Sequence, residues 1–228
     1  MYPLTAKQLE ELKSLDTPTV CNAIEKFKVR GRVEGFMGMD IRCLLPELGT
    51  MVGYAVTVTV DSTTEGAALD SRAWYDWLKA MEASPKPVVV VFKDVGPFPR
   101  KSAHLGEVMA TIAARLGVVG VVTDGGLRDI VEVKQVGLQC FAKGLVPAHG
   151  NPRLIDVGQA VTIDGVTVNP GDLLHGDANG VTAIPREIAD QVYQAAMDVR
   201  ADEAEIMGYI RSPEFTVEEF FRRRFTHY

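Results

Sequence analysis

The chain has 228 residues, 46% hydrophobic and 24% charged, with a formal net charge of -6. That balance describes a soluble globular chain long enough to bury a sizeable core, as one large domain or two small ones. It speaks against a nucleic-acid binder, which needs clustered Lys and Arg to displace counterions.

No apolar run nears the ~20 residues that cross a bilayer, so no membrane association is expected. Residues 1–15 are charged and amphipathic and lack the apolar stretch of a signal peptide. Cys21, Cys43 and Cys140 are odd in number and far apart, with no CxxC. They read as small buried side chains in a reducing compartment, and a cytoplasmic location is expected.

In chain order, residues 5–15 form a short amphipathic helix, and "DTPTVCNAIEKF" opens a second one. Asp16 or Thr17 can cap it, and Pro18 suits a first turn. Residues 52–60 alternate and are rich in Val and Thr, which predicts a strand. Residues 69–82 carry Trp74, Trp77, Leu78 and Met81 at helical spacing. "PVVVVF" is a short buried strand. A helix follows over 106–116, then the strand "GVVGVVT", a short helix over 130–136 and the strand "QCFAKG". "QAVTIDGVTVNPGD" is a hairpin turning at Asp164-Gly165. "GVTAIP" is a last strand, residues 185–209 a long helix, and "TVEEFFRRRF" a C-terminal one. This order predicts an α/β layered domain spanning 1–228, with N-terminal helices over 1–30, a core over 31–187 and C-terminal helices over 188–228.

The chemistry concentrates in the middle. "HLGEVMA" opens a helix at Gly106, and a helix N-terminus with free N–H groups can hold a carboxylate or phosphate. Gly106 would let a ligand approach the backbone closely. The next strand runs into "VVTDGGLRDIVE", where Arg128 and Asp129 are adjacent. Ligands in open α/β sheets bind beyond the carboxyl ends of strands. Arginine clamps carboxylates, and an aspartate holds a hard cation such as Mg²⁺. Asp-Gly and Gly-Gly are also ordinary turn dipeptides, and Arg-Asp at a helix start often pairs locally. On spacing alone, the turn reading is the stronger one.

Three ordered stretches change that balance: "TPTVCNAIEKF", "GEVMATIAARLGVVGVVTDGGLRD" and "PGDLLHGDANGVTAIP". Together they span about residues 17–187. The chain resembles the regulator of ribonuclease activity A family. That family includes the class II 4-hydroxy-4-methyl-2-oxoglutarate / 4-carboxy-4-hydroxy-2-oxoadipate aldolases. Its pattern of an acidic residue, twenty intervening residues and then Arg-Asp is met as Glu107…Arg128-Asp129.

The resemblance implies an α-β-β-α sandwich with flanking N- and C-terminal helices. It implies a metal-dependent lyase that cleaves a 4-hydroxy-2-oxo acid to pyruvate or a related 2-oxo acid, with oxaloacetate decarboxylation as a side activity. Asp129 would ligate Mg²⁺ or Mn²⁺, and Arg128 would bind the keto and carboxylate oxygens and stabilise the enolate. The backbone of Gly106, Glu107, Val108 and Met109 would hold the substrate carboxylate. Glu107 would orient metal-bound water and help proton transfer. Glu203 would enter the metal's outer shell from a neighbouring subunit of a homotrimer or homohexamer, with Glu205 as the alternative residue. A non-catalytic regulator that binds a ribonuclease or another protein is the competing reading. Many of the aldolases carry Asp where this chain has Glu107. The segment 61–87 also exceeds that of smaller members; both departures bear on the substrate.

Other residues read as ordinary. His104 stands beside a turn as polar surface, and His149, His175 and His227 lack zinc spacing. Asp124, Asp177 and Asn179 shape turns, and Glu132 supports a short helix. A Schiff-base aldolase would need a desolvated lysine, for which Lys134 and Lys143 are the nearest candidates. Trp74 and Trp77 read as core or interface anchors, and Arg222–Arg224 as a solvated face or a subunit contact.

Overall fold

In the computed structural model, which describes residues 3–66 and 70–225, the chain opens with two capped helices. Thr5 starts α1 (Ala6–Lys13) with a capping box: its hydroxyl accepts from Gln8 N, and the Gln8 side chain accepts from Thr5 N. Asp16 caps α2 (Thr17–Glu25) by accepting from Thr19 N. Then come β1 (Arg42–Cys43), β2 (Met51–Asp61), α3 (Ser71–Ala83), β3 (Val88–Asp94), α4 (Glu107–Arg115) and β4 (Val118–Thr123). They are followed by β5 (Gly126–Leu127), α5 (Ile130–Val136), β6 (Gln139–Ala142), β7 (Gly144–Leu145) and β8 (Arg153–Val157). The chain continues through β9 (Val161–Ile163), β10 (Val166–Val168), β11 (Leu173–Asp177), β12 (Gly180–Ile184), α6 (Val192–Ile210) and α7 (Val217–Phe225). Leu69, expected at the start of the third helix, and His227 lie outside the described residues.

Strands β2, β3, β4 and β6 pair in parallel, and α3, α4 and α5 make the crossovers that parallel pairing demands. Burial on both faces explains the unbroken apolar run of β3. The long β2 serves two antiparallel partners, β11 along its first half and β8 along its second. β1 extends β6, and β12 extends β11.

One face of the parallel strands packs Val58, Val90 and Phe92 against Trp77 of α3, Ala110 of α4 and Val133 of α5. The other face puts Val89, Val122 and Phe141 against Leu174, Val181 and the β9–β10 hairpin. A Cβ added to Gly176 on β11 would lie 2.8 Å from Phe141 Cζ on β6, so strands distant in the sheet face each other. The sheet therefore curls, and its two walls are the two β layers of the expected α-β-β-α arrangement. Helices α1, α2 and α6 cover the second wall through Leu12, Ile24, Leu173, Ile184 and Val192.

The hairpin turns at Asp164 (φ 42°) and Gly165 (φ 85°), the left-handed pair that an Asp-Gly turn supplies. The last long helix starts later than the sequence expectation, β8 and β11 were not expected, and the expected strand over 139–144 divides into β6 and β7. Residues 185–191 form successive tight turns, with Ile188 N bonded to Pro185 O and Gln191 N to Ile188 O. The last long helix therefore begins only at Val192, where Gln191 offers no side-chain cap. Among the described residues, no helix is long and apolar enough to cross a membrane.

Candidate active site

Parallel strands point their carboxyl ends to one edge. There β2 ends at Asp61, β3 at Asp94 and β4 at Thr123, followed by Asp124. Two loops zip together above this edge. Gly126 N donates to Ser102 O at 3.0 Å, His104 N to Gly126 O at 2.9 Å, and Arg128 N to Leu105 O at 3.1 Å. This short ladder brings Gly106, at the start of α4, against Arg128 and Asp129. A Cβ at Gly106 would lie 2.5 Å from Asp129 Oδ2 and 2.9 Å from Arg128 Nε. A side chain at this position would displace both groups.

Asp129 is the residue before α5, yet it does not cap it. Its backbone is left-handed (φ 55°, ψ 42°), and its side chain makes no cap bond. A non-glycine residue pays about 1–3 kcal/mol for such a conformation. The carboxylate instead reaches α4, where Oδ2 accepts from Glu107 N at 3.0 Å and lies 3.6 Å from Arg128 Nε. The Glu107 N–H is thus taken by Asp129. The N–H groups of Gly106, Val108 and Met109 have no acceptor among the described residues. Of the four backbone donors expected to hold a carboxylate, the Glu107 N–H is thus engaged within the chain.

A cavity of ≈ 130 Å³ adjoins this corner, lined by Gly106, Val108, Met109, Arg128, Trp74 and Arg153 among others. Glu107 and Asp129 are not wall residues; Asp129 adjoins the cavity through Arg128 and the α4 terminus. The Glu107 side chain is exposed and makes no ion pair among the described residues. Glu203 is not brought here within the chain. It lies on α6, where Asn22 Nδ2 approaches it at 3.5 Å.

His104 corrects the sequence expectation of a surface histidine. It is buried at 6% exposure and borders the cavity. Its Nε2 meets Asp94 Oδ2 at 2.7 Å and its Nδ1 meets Thr123 Oγ1 at 2.6 Å. A carboxylate only accepts, so Nε2 carries the proton. Thr123 Oγ1 already accepts from Gly125 N at 3.1 Å, so its hydroxyl can donate to Nδ1. Both ring nitrogens are thereby occupied, and His104 acts as a brace for the loop that carries Gly106. Asp124 also departs from expectation. It is buried, pairs with Lys93 Nζ at 2.5 Å and accepts from Asp94 N at 2.9 Å, tying β3 to β4. Sequence reasoning missed both because their partners lie ten and thirty positions away. The one available signal was that Asp94 ends an apolar strand.

Asp61 completes the edge. It accepts from Thr64 N at 3.0 Å and Thr63 N at 3.3 Å, and pairs with Arg153 Nη2 at 2.5 Å. Hydrogen bonds from Thr64 above all hold its carboxyl down to about 2. Lys134 pairs with Glu47 and Lys143 with Asp40, and neither borders the cavity. The structure thus places neither candidate for a Schiff base at this site.

A family described as RraA-like, Aldolase/RraA, matches residues 17–183. The chain belongs to the RraA-like family. A relative in Halalkalibacterium halodurans, named "Putative 4-hydroxy-4-methyl-2-oxoglutarate aldolase", is 35% identical over 70% of this chain and 71% of its own length. An uncharacterized protein of Methanocaldococcus jannaschii is 28% identical over 89% of this chain and 88% of its own. Among solved structures, an uncharacterized Pseudomonas syringae protein superposes with TM-score 0.75 at 26% identity, covering 97% of this chain and 95% of that one. Streptomyces coelicolor RraAS2, described as an unusual member of the RNase ES inhibitor RraA protein family, superposes with TM-score 0.71 at 21% identity. That match covers 90% of this chain and 98% of RraAS2 and speaks to the fold alone.

Aldolase membership of the RraA-like family raises the question of a metal. Among the described residues, no group of three or more His, Cys, Asp or Glu side chains could hold one. A single half-exposed carboxylate at Asp129, with one oxygen anchored by Glu107 N, suits Mg²⁺ or Mn²⁺. Mg²⁺ keeps several waters and commonly takes only one or two carboxylates.

Proposed function

We propose that this RraA-like chain is a divalent-metal-assisted lyase that cleaves a 4-hydroxy-2-oxo acid by retro-aldol chemistry, releasing pyruvate or a related 2-oxo acid. The observation that carries this reading is the convergence at Gly106 of the Arg128 guanidinium, the Asp129 carboxylate and the open N-terminus of α4. The aldolase name of the Halalkalibacterium relative supports it.

The reaction makes three demands. The C1 carboxylate must be held, the C2 keto oxygen must accept a developing negative charge, and the C4 hydroxyl must lose its proton. The proton leaves, the C3–C4 bond breaks, and its electron pair moves onto C3 and the C2 oxygen as an enolate. Protonation at C3 then gives the product 2-oxo acid, while C4 departs as a carbonyl compound. The free N–H groups of Gly106, Val108 and Met109 suit the carboxylate, aided by the positive end of α4. Arg128 places fixed positive charge at the keto oxygen, where it is worth most in the transition state. Glu107, exposed at the start of α4, would orient water and help the proton transfer. A divalent cation held by Asp129 would supply Lewis acidity to the keto and carboxylate oxygens. Loss of CO₂ from oxaloacetate yields the same enolate, so decarboxylation is expected as a side activity. A homotrimer or homohexamer belongs to the same reading, with a neighbouring subunit closing the cavity and contributing Glu203.

The test is a coupled pyruvate-release assay over a panel of 4-hydroxy-2-oxo acids and oxaloacetate. Activity should require Mg²⁺ or Mn²⁺ and disappear with EDTA. Arg128→Ala should lower kcat by about 10²–10³-fold, the usual cost of removing an oxyanion stabiliser. Full activity in Asp129→Ala, or in EDTA, would sink the reading. Silence over the whole panel, with recovery of a nuclease as a bound partner, would favour the regulator instead.

A further inference from the structure

A second histidine borders the cavity. His149 lies on the loop between β7 and β8, is exposed, and lines the cavity together with Gly106 and Arg128. Three hydrogen bonds pin the loop that carries it. Ala103 N donates to Ala148 O at 3.0 Å, Ser102 Oγ to His149 O at 2.8 Å, and Asn151 N to Ser62 O at 2.6 Å. The first two tie the loop to the segment that leads into Gly106, and the third ties it to the end of β2. A Cβ at Gly150 would lie 2.3 Å from Ser62 O, so the loop presses closely on that strand end.

One ring contact sets the tautomer of His149. Its Nδ1 lies 2.7 Å from Gly150 O. A carbonyl oxygen only accepts, so Nδ1 carries the proton of the neutral ring and Nε2 keeps a bare lone pair. Nε2 has no partner among the described residues. His104, also on the cavity border, has both nitrogens engaged by Asp94 and Thr123. Arg128 and Arg153 carry a permanent charge. Among the described residues bordering the cavity, His149 is thus the one with an open nitrogen that can exchange a proton near neutral pH.

The lyase reaction needs such a group. Glu107 does not line the cavity and acts through water, whereas the C4 hydroxyl must lose its proton as the C3–C4 bond breaks. A cavity of ≈ 130 Å³ keeps its lining residues within reach of one small ligand. We propose that His149 is the general base that takes the C4 hydroxyl proton. The assignment rests on the lyase reading for the reaction it serves. Nε2 accepts the proton, the O–H electron pair becomes the second bond of the C4 carbonyl, and the C3–C4 pair passes into the enolate. The imidazolium then releases its proton to solvent, and C3 takes one from the water that Glu107 orients.

This division separates three reactions of one site. Cleavage of a 4-hydroxy-2-oxo acid needs the base at C4. Oxaloacetate decarboxylation and exchange of pyruvate methyl protons with D₂O do not, because neither compound has a C4 hydroxyl. In the full chain with Mg²⁺, His149→Gln should lower kcat for cleavage of the best panel substrate by about 10²–10⁴-fold, the usual contribution of a positioned acid or base. Its KM, the exchange rate and the decarboxylation rate should stay near those of the wild type. His149→Ala should lose cleavage in the same way, and added imidazole should restore part of it. Undiminished cleavage in His149→Gln overturns the assignment. So does loss of all three reactions together, the pattern of a merely structural role. A wild-type chain that performs none of the three contradicts the lyase reading itself, and the assignment falls with it.

Discussion

Asp129 adopts a left-handed backbone at φ 55° and leaves its own helix uncapped while its carboxylate reaches Glu107 N. Glycine would relieve that conformation. Asp129→Gly is therefore expected to keep or raise stability, by up to about 1 kcal/mol, while cleavage is lost. Thermal melts beside kcat measurements check this, and a destabilised variant would show that the carboxylate holds the fold instead. Gly106→Ala should impair activity for the opposite reason, since its Cβ would displace Asp129 Oδ2 and Arg128 Nε. At this scale the sequence shows Glu107, Arg128 and Asp129 by residue type and spacing. It does not show that Asp129 binds the neighbouring helix, because aspartate before a helix ordinarily caps its own. It hides the His104 brace, since that depends on residues from other strands.

Helices α1 and α2 meet strand β11 through a buried histidine. His175 Nε2 donates to Leu12 O at 3.0 Å, and Nδ1 lies 3.0 Å from the Thr17 hydroxyl. Burial lowers its pKa from the ordinary 6.5, against the opposing pull of Leu12 O and nearby carboxylates. The folded state then binds protons less readily than the unfolded chain. This contribution to stability is complete above pH 6.5 and is lost as pH falls through 6.5 towards the lower folded value. Denaturant midpoints should therefore drop between neutral and mildly acidic pH, and His175→Gln should flatten that part of the profile. An unchanged slope would remove His175 as its source. At the element scale, apolar runs and the Asp-Gly turn made β3, β4 and the β9–β10 hairpin legible. The start of α6 was not, because residues 185–191 have helical composition but close as separate turns.

For the whole molecule, the order of strands and helices indicated α/β layering, and the family resemblance its four layers. The curl that makes one sheet serve as both β layers was hidden. It depends on β11 pairing with β2 and on Gly176 facing Phe141, contacts between residues far apart in sequence. Helix α7 exposes Val217, Phe221 and Phe225 along one face, a stripe at helical spacing suited to cover by another subunit. Sedimentation should give three or six times the 24.9 kDa chain mass. A monomer at micromolar concentration would contradict subunit-shared sites.

In the proposed reaction, Arg128 and the Asp129 corner stabilise an enolate. Reversible enolate formation exchanges the methyl protons of pyruvate with solvent, whatever the full substrate. The most direct measurement follows that exchange in D₂O by NMR, with Mg²⁺ or Mn²⁺ present. Exchange that requires the metal and collapses in Arg128→Met and Asp129→Asn is the expected result. No exchange in the wild-type chain, or exchange unaffected by either substitution, would contradict the account.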